Sequence, residues 1–343
     1  MTKLVSASIV AATLLAAGAS AQAQQVVLKG AHFLPGTSNP QVNIIQPWCE
    51  KVNKESNDRL KCQIYPSMQL GGTPPQLFDQ ARDGVADIVW TVPTYAAGRF
   101  SKSEVFELPW MTVSAKAGSQ AFWDYVQKNS LDEFKGTKPI FLHVHDGAVL
   151  HTSGKVVKQL SDLRGLKIRG ATRINARMLS ALGATPVQMP LPQVPDAMSK
   201  GVIDGAMVPW EGVPAIKLHE ISKYSLGVPE GQPRFGNTIF AFTMNQAKYD
   251  SLPADLKKVI DANSGPAASA LAGEKFDATV EPHRKLARDR NNTLAFLDAA
   301  EYQRWIKASE SIDDDWVKEV AAKGADGKKL IEEAKALIKK YEK

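Results

Sequence analysis

The hydrophobic positions of this chain change period repeatedly, from short unbroken apolar runs to helical spacing and back. Val26–His32 (VVLKGAH) reads as a first strand, and a loop rich in Pro, Gly, Ser and Asn carries the chain to Pro40. From Gln41 to Ser56 the residues Val42, Ile45, Trp48, Cys49 and Val52 recur near helical spacing, which predicts a helix with one apolar face. Pro47 falls inside it, so the helix should kink there or begin only in its second half. Leu60–Tyr65 reads as a strand, Gln76–Asp83 as a helix and Ala86–Val92 as a buried strand. Such alternation is an α/β signature. Pro139–His145 and Thr238–Met244 read as strands that cross between two lobes. The remainder is helical: Pro253–Ser264, a long pattern from Ala267 to about Ala287, then Ala299–Glu319 and Gly327–Tyr341. Pro282 should bend the long helix, which either spans both lobes or lies on the surface of one.

A short internal echo supports two similar halves. QARDGVADIVWTVP at Gln80–Pro93 resembles AMSKGVIDGAMVP at Ala197–Pro209. In each, a helix ends at a Gly suited to a left-handed C-cap and runs directly into an apolar strand. Ligands of open α/β sheets gather at the carboxyl ends of the strands, which sets Thr91–Tyr95 and Met207–Glu211 on opposite walls of a cleft.

The segment Leu163–Pro209 carries the main candidate chemistry. Arg169 closes the apolar-leaning run Gly165–Ile168 and precedes a Gly-Ala-Thr turn. A guanidinium there is placed to grip a carboxylate through two parallel hydrogen bonds; the alternative is a structural salt bridge. Arg173 and Arg177 follow at helical spacing and read as a solvated helix face. Trp210 is placed to wall an apolar ligand and Glu211 to accept a ligand hydroxyl, against a plainer reading as packing and surface charge. His32, Phe33, Tyr95, Phe235 and Asn237 lie at or near strand ends and are candidate pocket liners. His143 and His145 share one strand face, but a third ligand at a diagnostic spacing is missing, so core or hinge hydrogen bonding is expected rather than zinc. No metal or cofactor is expected, and no nucleophile–base pair accompanies Arg169. The site looks built to hold an anionic small molecule rather than to transform it.

Length and composition narrow the class further. The 343 residues suit two domains. The formal charge of +6 is mild, and no basic run is interleaved with aromatics, so nucleic-acid binding is not expected. Lys3, the apolar run Val5–Ala19 and Ala-Gln-Ala at 21–23 read as a secretory signal peptide cleaved near Ala23. Both cysteines, Cys49 and Cys62, then belong to an exported chain, where they form either one disulfide or two buried thiols.

Taken together, these features resemble the extracytoplasmic solute receptors of tripartite ATP-independent periplasmic (TRAP) transporters, of the DctP type. The resemblance rests on MQLGG at Met68–Gly72, DGVADI at Asp83–Ile88, ELPWM at Glu107–Met111, LRGLKIR at Leu163–Arg169, LGATPVQMP at Leu182–Pro190 and GVIDGAMVP at Gly201–Pro209. It implies a two-lobed periplasmic binding protein fold with mixed sheets, strand crossovers at the hinge and a long helix spanning both lobes. It further implies no enzymatic activity, a periplasmic location, a salt bridge from Arg169 to a ligand carboxylate, and delivery of an organic acid anion to a membrane permease. The expected parts are the signal peptide (1–23), a first lobe (24–147 plus 238–278) and a second lobe (148–237 plus 279–343), acting as a monomer. Sialate-binding members carry a second Arg where this chain has Val149, and an Asn where it has Val208. With Trp210 nearby, these departures favour a less polar monocarboxylate, aromatic or an oxo- or hydroxy-acid. The alternatives are a four-carbon dicarboxylate or, on different chemistry, an exported hydrolase.

Overall fold

The computed structural model describes residues 25–342; the expected signal peptide and its cleavage site lie outside them. Eleven strands form two mixed sheets among the described residues. The first contains β1 (Val26–Ala31), β2 (Leu60–Tyr65), β3 (Ile88–Thr91), β4 (Thr137–Val144) and β10 (Ile239–Asn245), in the order β2-β1-β3-β10-β4. The second contains β5 (Ala148–Thr152), β6 (Lys167–Gly170), β7 (Thr185–Gln188), β8 (Gly205–Pro209), β9 (Tyr224–Gly227) and β11 (Thr293–Phe296), in the order β11-β9-β5-β8-β6-β7. Each lobe is built on one sheet. β10 runs antiparallel to both β3 and β4, and β5 antiparallel to both β8 and β9. The central strands β3 and β10 are buried at every position, as expected of strands covered on both faces.

The chain crosses between sheets at His145–Gly147 and returns to β10 through residues 228–238. Gly147 has φ of +91° and packs so closely that a Cβ would lie 2.1 Å from Cγ of Arg234. Only glycine fits this crossing.

The long helical span is realised as two pieces, Pro266–Asp277 and Val280–Arg288. The break at Ala278–Thr279 has a direct cause. Pro282 has no N–H to donate and its ring crowds the carbonyl four residues earlier, on Ala278. The first piece packs on β4 and on the helix Ala115–Asn129; the second packs on β11 and the short helix Leu218–Ile221. The span therefore touches both lobes.

Other expectations are refined. Gln41–Ile45 forms a π turn before the α-helix Gln46–Glu55, with Pro47 in the first turn of the latter, where a missing N–H costs nothing. The expected helix Ala299–Glu319 is two helices, Ala299–Ala308 and Ser311–Ala321. At the join, Ser309 Oγ turns back onto the carbonyls of Trp305 and Ile306, 2.9 and 3.1 Å away, in competition with helix continuation. The helix Ala115–Asn129, capped by Ser114 Oγ, buries small residues in its first half (Ala115, Ala117, Gly118, Ser119) and Phe122, Tyr125 and Val126 in its second. A Cβ on Gly273 of the facing helix would lie 2.4 Å from the Ala115 carbonyl oxygen.

Cys49 and Cys62 form a disulfide that joins the helix Gln46–Glu55 to β2. The internal echo is structural as well. Gly84 and Gly201 both take positive φ. Asp87 and Asp204 play the same part: each carboxylate accepts the N–H of a lysine on the neighbouring strand, Lys29 and Lys167, at 2.8 Å. Each aspartate N–H returns a 2.8 Å bond to the same lysine's carbonyl.

Candidate ligand-binding site

The carboxyl ends of the echoed strands β3 and β8 face each other, as the pattern predicted. Between them lies a cavity of about 30 Å³, lined from one side by Phe33, Trp90, Val92, Tyr95 and Phe240, and from the other by Arg169, Leu191, Pro209 and Glu211. That volume admits about one or two water molecules. The lobes touch here directly, since Leu191 N–H donates to the Tyr95 hydroxyl at 3.1 Å.

Arg169 sits at the end of β6, only 2 % exposed. Its Nε donates to the Met189 carbonyl and Nη1 to the Met207 carbonyl, both at 2.9 Å. These two backbone acceptors fix the plane of the guanidinium. The Tyr95 hydroxyl lies against it. Among the described residues no carboxylate comes within salt-bridge distance of Arg169. Burial pulls its affinity for the proton below the usual arginine range, opposed by Tyr95. A buried charge without a counterion is costly, so this end of the cavity is electrostatically primed for an anion.

Of the other sequence candidates, Phe33, Tyr95 and Glu211 line the cavity with Arg169. Phe33 stacks on Trp90 at 5.2 Å. His32 is not among the lining residues: its Nδ1 accepts the Leu34 N–H and its Nε2 meets Gln41 Oε1, behind the ring of Trp90. Trp210 is also outside the lining. Its indole meets His151 edge-on at 5.0 Å, its N–H donates to Asp146, and its carbonyl accepts from His283 Nδ1. The flat wall is supplied instead by Trp90, stacked on Phe240 at 4.9 Å. Phe235 is packed on Trp305 and Trp110. Asn237 spends its amide on His145, Thr112 and Thr238, pinning the crossing. Val149 and Val208, the apolar replacements noted in the sequence, are direct cross-strand partners.

Trp90, Phe240 and His145 were missed as liners. Alternation along β4 had placed His143 and His145 on one face, and that was the available signal. His143 Nε2 accepts the Trp90 indole N–H at 2.8 Å, holding the wall in place. Burial pushes both imidazoles down to about 3, so both are neutral. His145 Nδ1 accepts the Gly147 N–H at 2.9 Å, which assigns the ring proton to Nε2.

Arg173 corrects the expectation of a solvated face. It forms a two-pronged ion pair with the fully buried Glu104 and a further pair with Glu319, which also takes Arg177. Beside it, the Glu107 carboxyl accepts from Thr94 Oγ1 at 2.5 Å, Thr172 Oγ1 at 2.6 Å and Ile239 N–H at 3.2 Å. Burial raises Glu107 to about 8, against the pull of those donors. Glu104 and Glu107 belong to the first lobe and Thr172 and Arg173 to the second, so both contacts fasten the lobes together.

Two facing α/β lobes around a buried cation define a solute-binding protein. The chain matches the family of bacterial extracellular solute-binding proteins, family 7 (DctP), over residues 30–319, and it belongs to that family. Among solved structures, it is similar to a TRAP solute-binding protein from Rhodoferax ferrireducens T118 in complex with copurified benzoate. That match has 45 % identity and a TM-score of 0.91, covering 93 % of this chain and 99 % of the other. It is also similar to a marine metagenome TRAP solute-binding protein specific for aromatic acid ligands, solved with 3-hydroxybenzoate. Identity there is 47 % and the TM-score 0.91, over 93 % and 100 % of the two chains. A Bordetella bronchiseptica protein of the same type with bound mandelate matches at 28 % identity and a TM-score of 0.85, over 92 % and 99 %.

Proposed function

We propose that this protein is a periplasmic receptor that captures an aromatic monocarboxylate between its lobes and delivers it to a TRAP membrane permease, without transforming it. One observation carries this reading: Arg169 is buried, aimed by two backbone carbonyls and unpaired with any carboxylate among the described residues, beside the stacked rings of Trp90, Phe33 and Phe240. The guanidinium takes the ligand carboxylate and the aromatic wall takes the ring. The ligands of the relatives at 45 % and 47 % identity, benzoate and 3-hydroxybenzoate, support it. A dicarboxylate fits less well, since Arg169 is the only Arg or Lys among the lining residues and His145 is neutral. Sheet membership and the helix break at Ala278–Thr279 support a two-lobe division at 24–147 plus 238–278 and 148–237 plus 279–343, except that the helix Gly327–Tyr341 packs on Ala115–Asn129 of the first lobe. Cleavage near Ala23 and a monomeric mature chain complete the proposal. No helix among the described residues is long and apolar enough to cross a membrane, consistent with a receptor that relies on a separate permease.

A cavity of about 30 Å³ is smaller than a benzene ring, so a ligand enters only when the lobes part and is then enclosed. Isothermal titration of the purified mature protein against benzoate, hydroxybenzoates, mandelate, succinate and malate tests the reading. Tight binding of an aromatic monocarboxylate is expected. Tight binding of succinate or malate with failure of every aromatic acid would overturn the ligand class.

A further inference from the structure

The cavity that Arg169 lines also carries a chemistry that carboxylate capture does not use. Glu211 lines it, is only 3 % exposed, and its Oε1 has no hydrogen-bond partner. Asp146, at the crossing between lobes, is likewise buried with Oδ1 unpartnered; its Oδ2 accepts the Trp210 N–H at 3.1 Å. The two carboxyls act on each other, and Asn39 bonds the Glu211 carboxyl. Glu211 also borders an outer groove lined by Ser38, Asn39, Asn43 and His283. Ser38 Oγ is a further buried polar atom there without a partner.

Buried polar atoms in native proteins are rarely left unsatisfied, and the unpartnered Glu211 Oε1 is therefore open to a donor arriving with the ligand. Resting on the aromatic-carboxylate reading above, we propose that Glu211, backed by Asp146, is a hydroxyl-reading subsite. It makes the receptor prefer aromatic monocarboxylates with a ring hydroxyl over the unsubstituted acid. The ligand then lies with its carboxylate on Arg169, its ring against Trp90 and its hydroxyl on Glu211 Oε1. Two ionised carboxylates would repel an anionic ligand. Burial raises Glu211 to about 8 and Asp146 to about 7, so near neutral pH the pair retains a proton and offers a hydrogen bond without full charge.

The experiment is isothermal titration of wild type, Glu211→Ala and Glu211→Gln with benzoate and with 2-, 3- and 4-hydroxybenzoate. In wild type, at least one hydroxy isomer should bind about 5- to 10-fold tighter than benzoate, the net worth of one good hydrogen bond. In Glu211→Ala that ratio should fall to about one, whatever happens to the absolute affinities, because the ratio isolates the hydroxyl contact. Glu211→Gln, which keeps an acceptor and a donor, should restore most of it. Benzoate binding with no isomer preferred, or a preference that survives in Glu211→Ala, refutes this subsite and leaves the carboxylate receptor standing. Failure of every aromatic acid, benzoate included, refutes both.

Discussion

Arg169 and Arg173 stand four residues apart at the junction of β6 and the helix Arg173–Ala181, and they have opposite electrostatic fates. Arg169 is held by two backbone carbonyls and meets no carboxylate among the described residues. Arg173 is saturated by Glu104 and Glu319. In the proposed function one guanidinium is kept for an anion from outside, whereas the other is spent joining the lobes. Residue type does not separate the two roles; counterion supply does.

Removing each in turn should break the pair in different ways. Arg169→Ala is expected to give the largest effect on binding, a loss of about 2–5 kcal/mol, or roughly 30- to several-thousand-fold, as for one member of a buried charge pair. Isothermal titration with the best aromatic acid measures it, and near-native affinity would contradict the assignment. Arg173→Ala should act on stability instead. It strands the buried Glu104, at a cost of about 3 kcal/mol, the lower end of the range for a broken buried pair because the guanidinium retains an exposed side. Thermal melting without ligand should show the drop, whereas in Arg169→Ala the melting temperature should hold or rise as an uncompensated charge is removed.

A pH titration sharpens the same contrast on the acidic partners. Glu107 and Glu211 near 8 and Asp146 near 7 are all raised above their ordinary values by burial. A raised carboxyl contributes stability that is fully present below its unfolded value and lost as pH rises through the folded one. The buried imidazoles of His143, His145 and His151, lowered to about 3, 3 and 4, contribute stability that is present above 6.5 and lost as pH falls. The two sets oppose each other between about 4.5 and 6.5. Above 6.5 the carboxyls act without that opposition, so melting temperature should decline from pH 6.5 to 8.5, and Glu107→Gln should flatten part of the decline. The smallest effect is expected from Glu319→Gln. Its carboxylate is about one-third exposed, so the loss should stay within about 1 kcal/mol, as for a surface ion pair.

How much of this was legible beforehand depends on the range of the interaction. β1, β2 and the helix Gly327–Tyr341 follow from local period, and the facing of Thr91–Tyr95 and Met207–Glu211 from the echo plus the strand-end rule. The place of Arg169 at a strand end before a helix start was readable locally, but the carbonyls that aim it lie 20 and 38 residues away. The pairing of Arg173 was not readable, since Glu104 and Glu319 lie 69 and 146 residues away in sequence. Trp90 and Phe240 looked like ordinary core residues, and only the packing of one lobe on the other turns their faces into a cavity wall. Trp210 failed in the opposite sense: the chain leaves β8 after Pro209 and turns into the helix Gly212–Ala215, with Glu211 on the cavity and the indole against His151.

The acceptors that aim Arg169 are main-chain oxygens of Met189 and Met207, and every residue type supplies a carbonyl. Substitutions at either position therefore leave the acceptor that aims the guanidinium in place. If Arg169 is the anion grip proposed above, its aim is insulated from side-chain drift at the two positions that hold it.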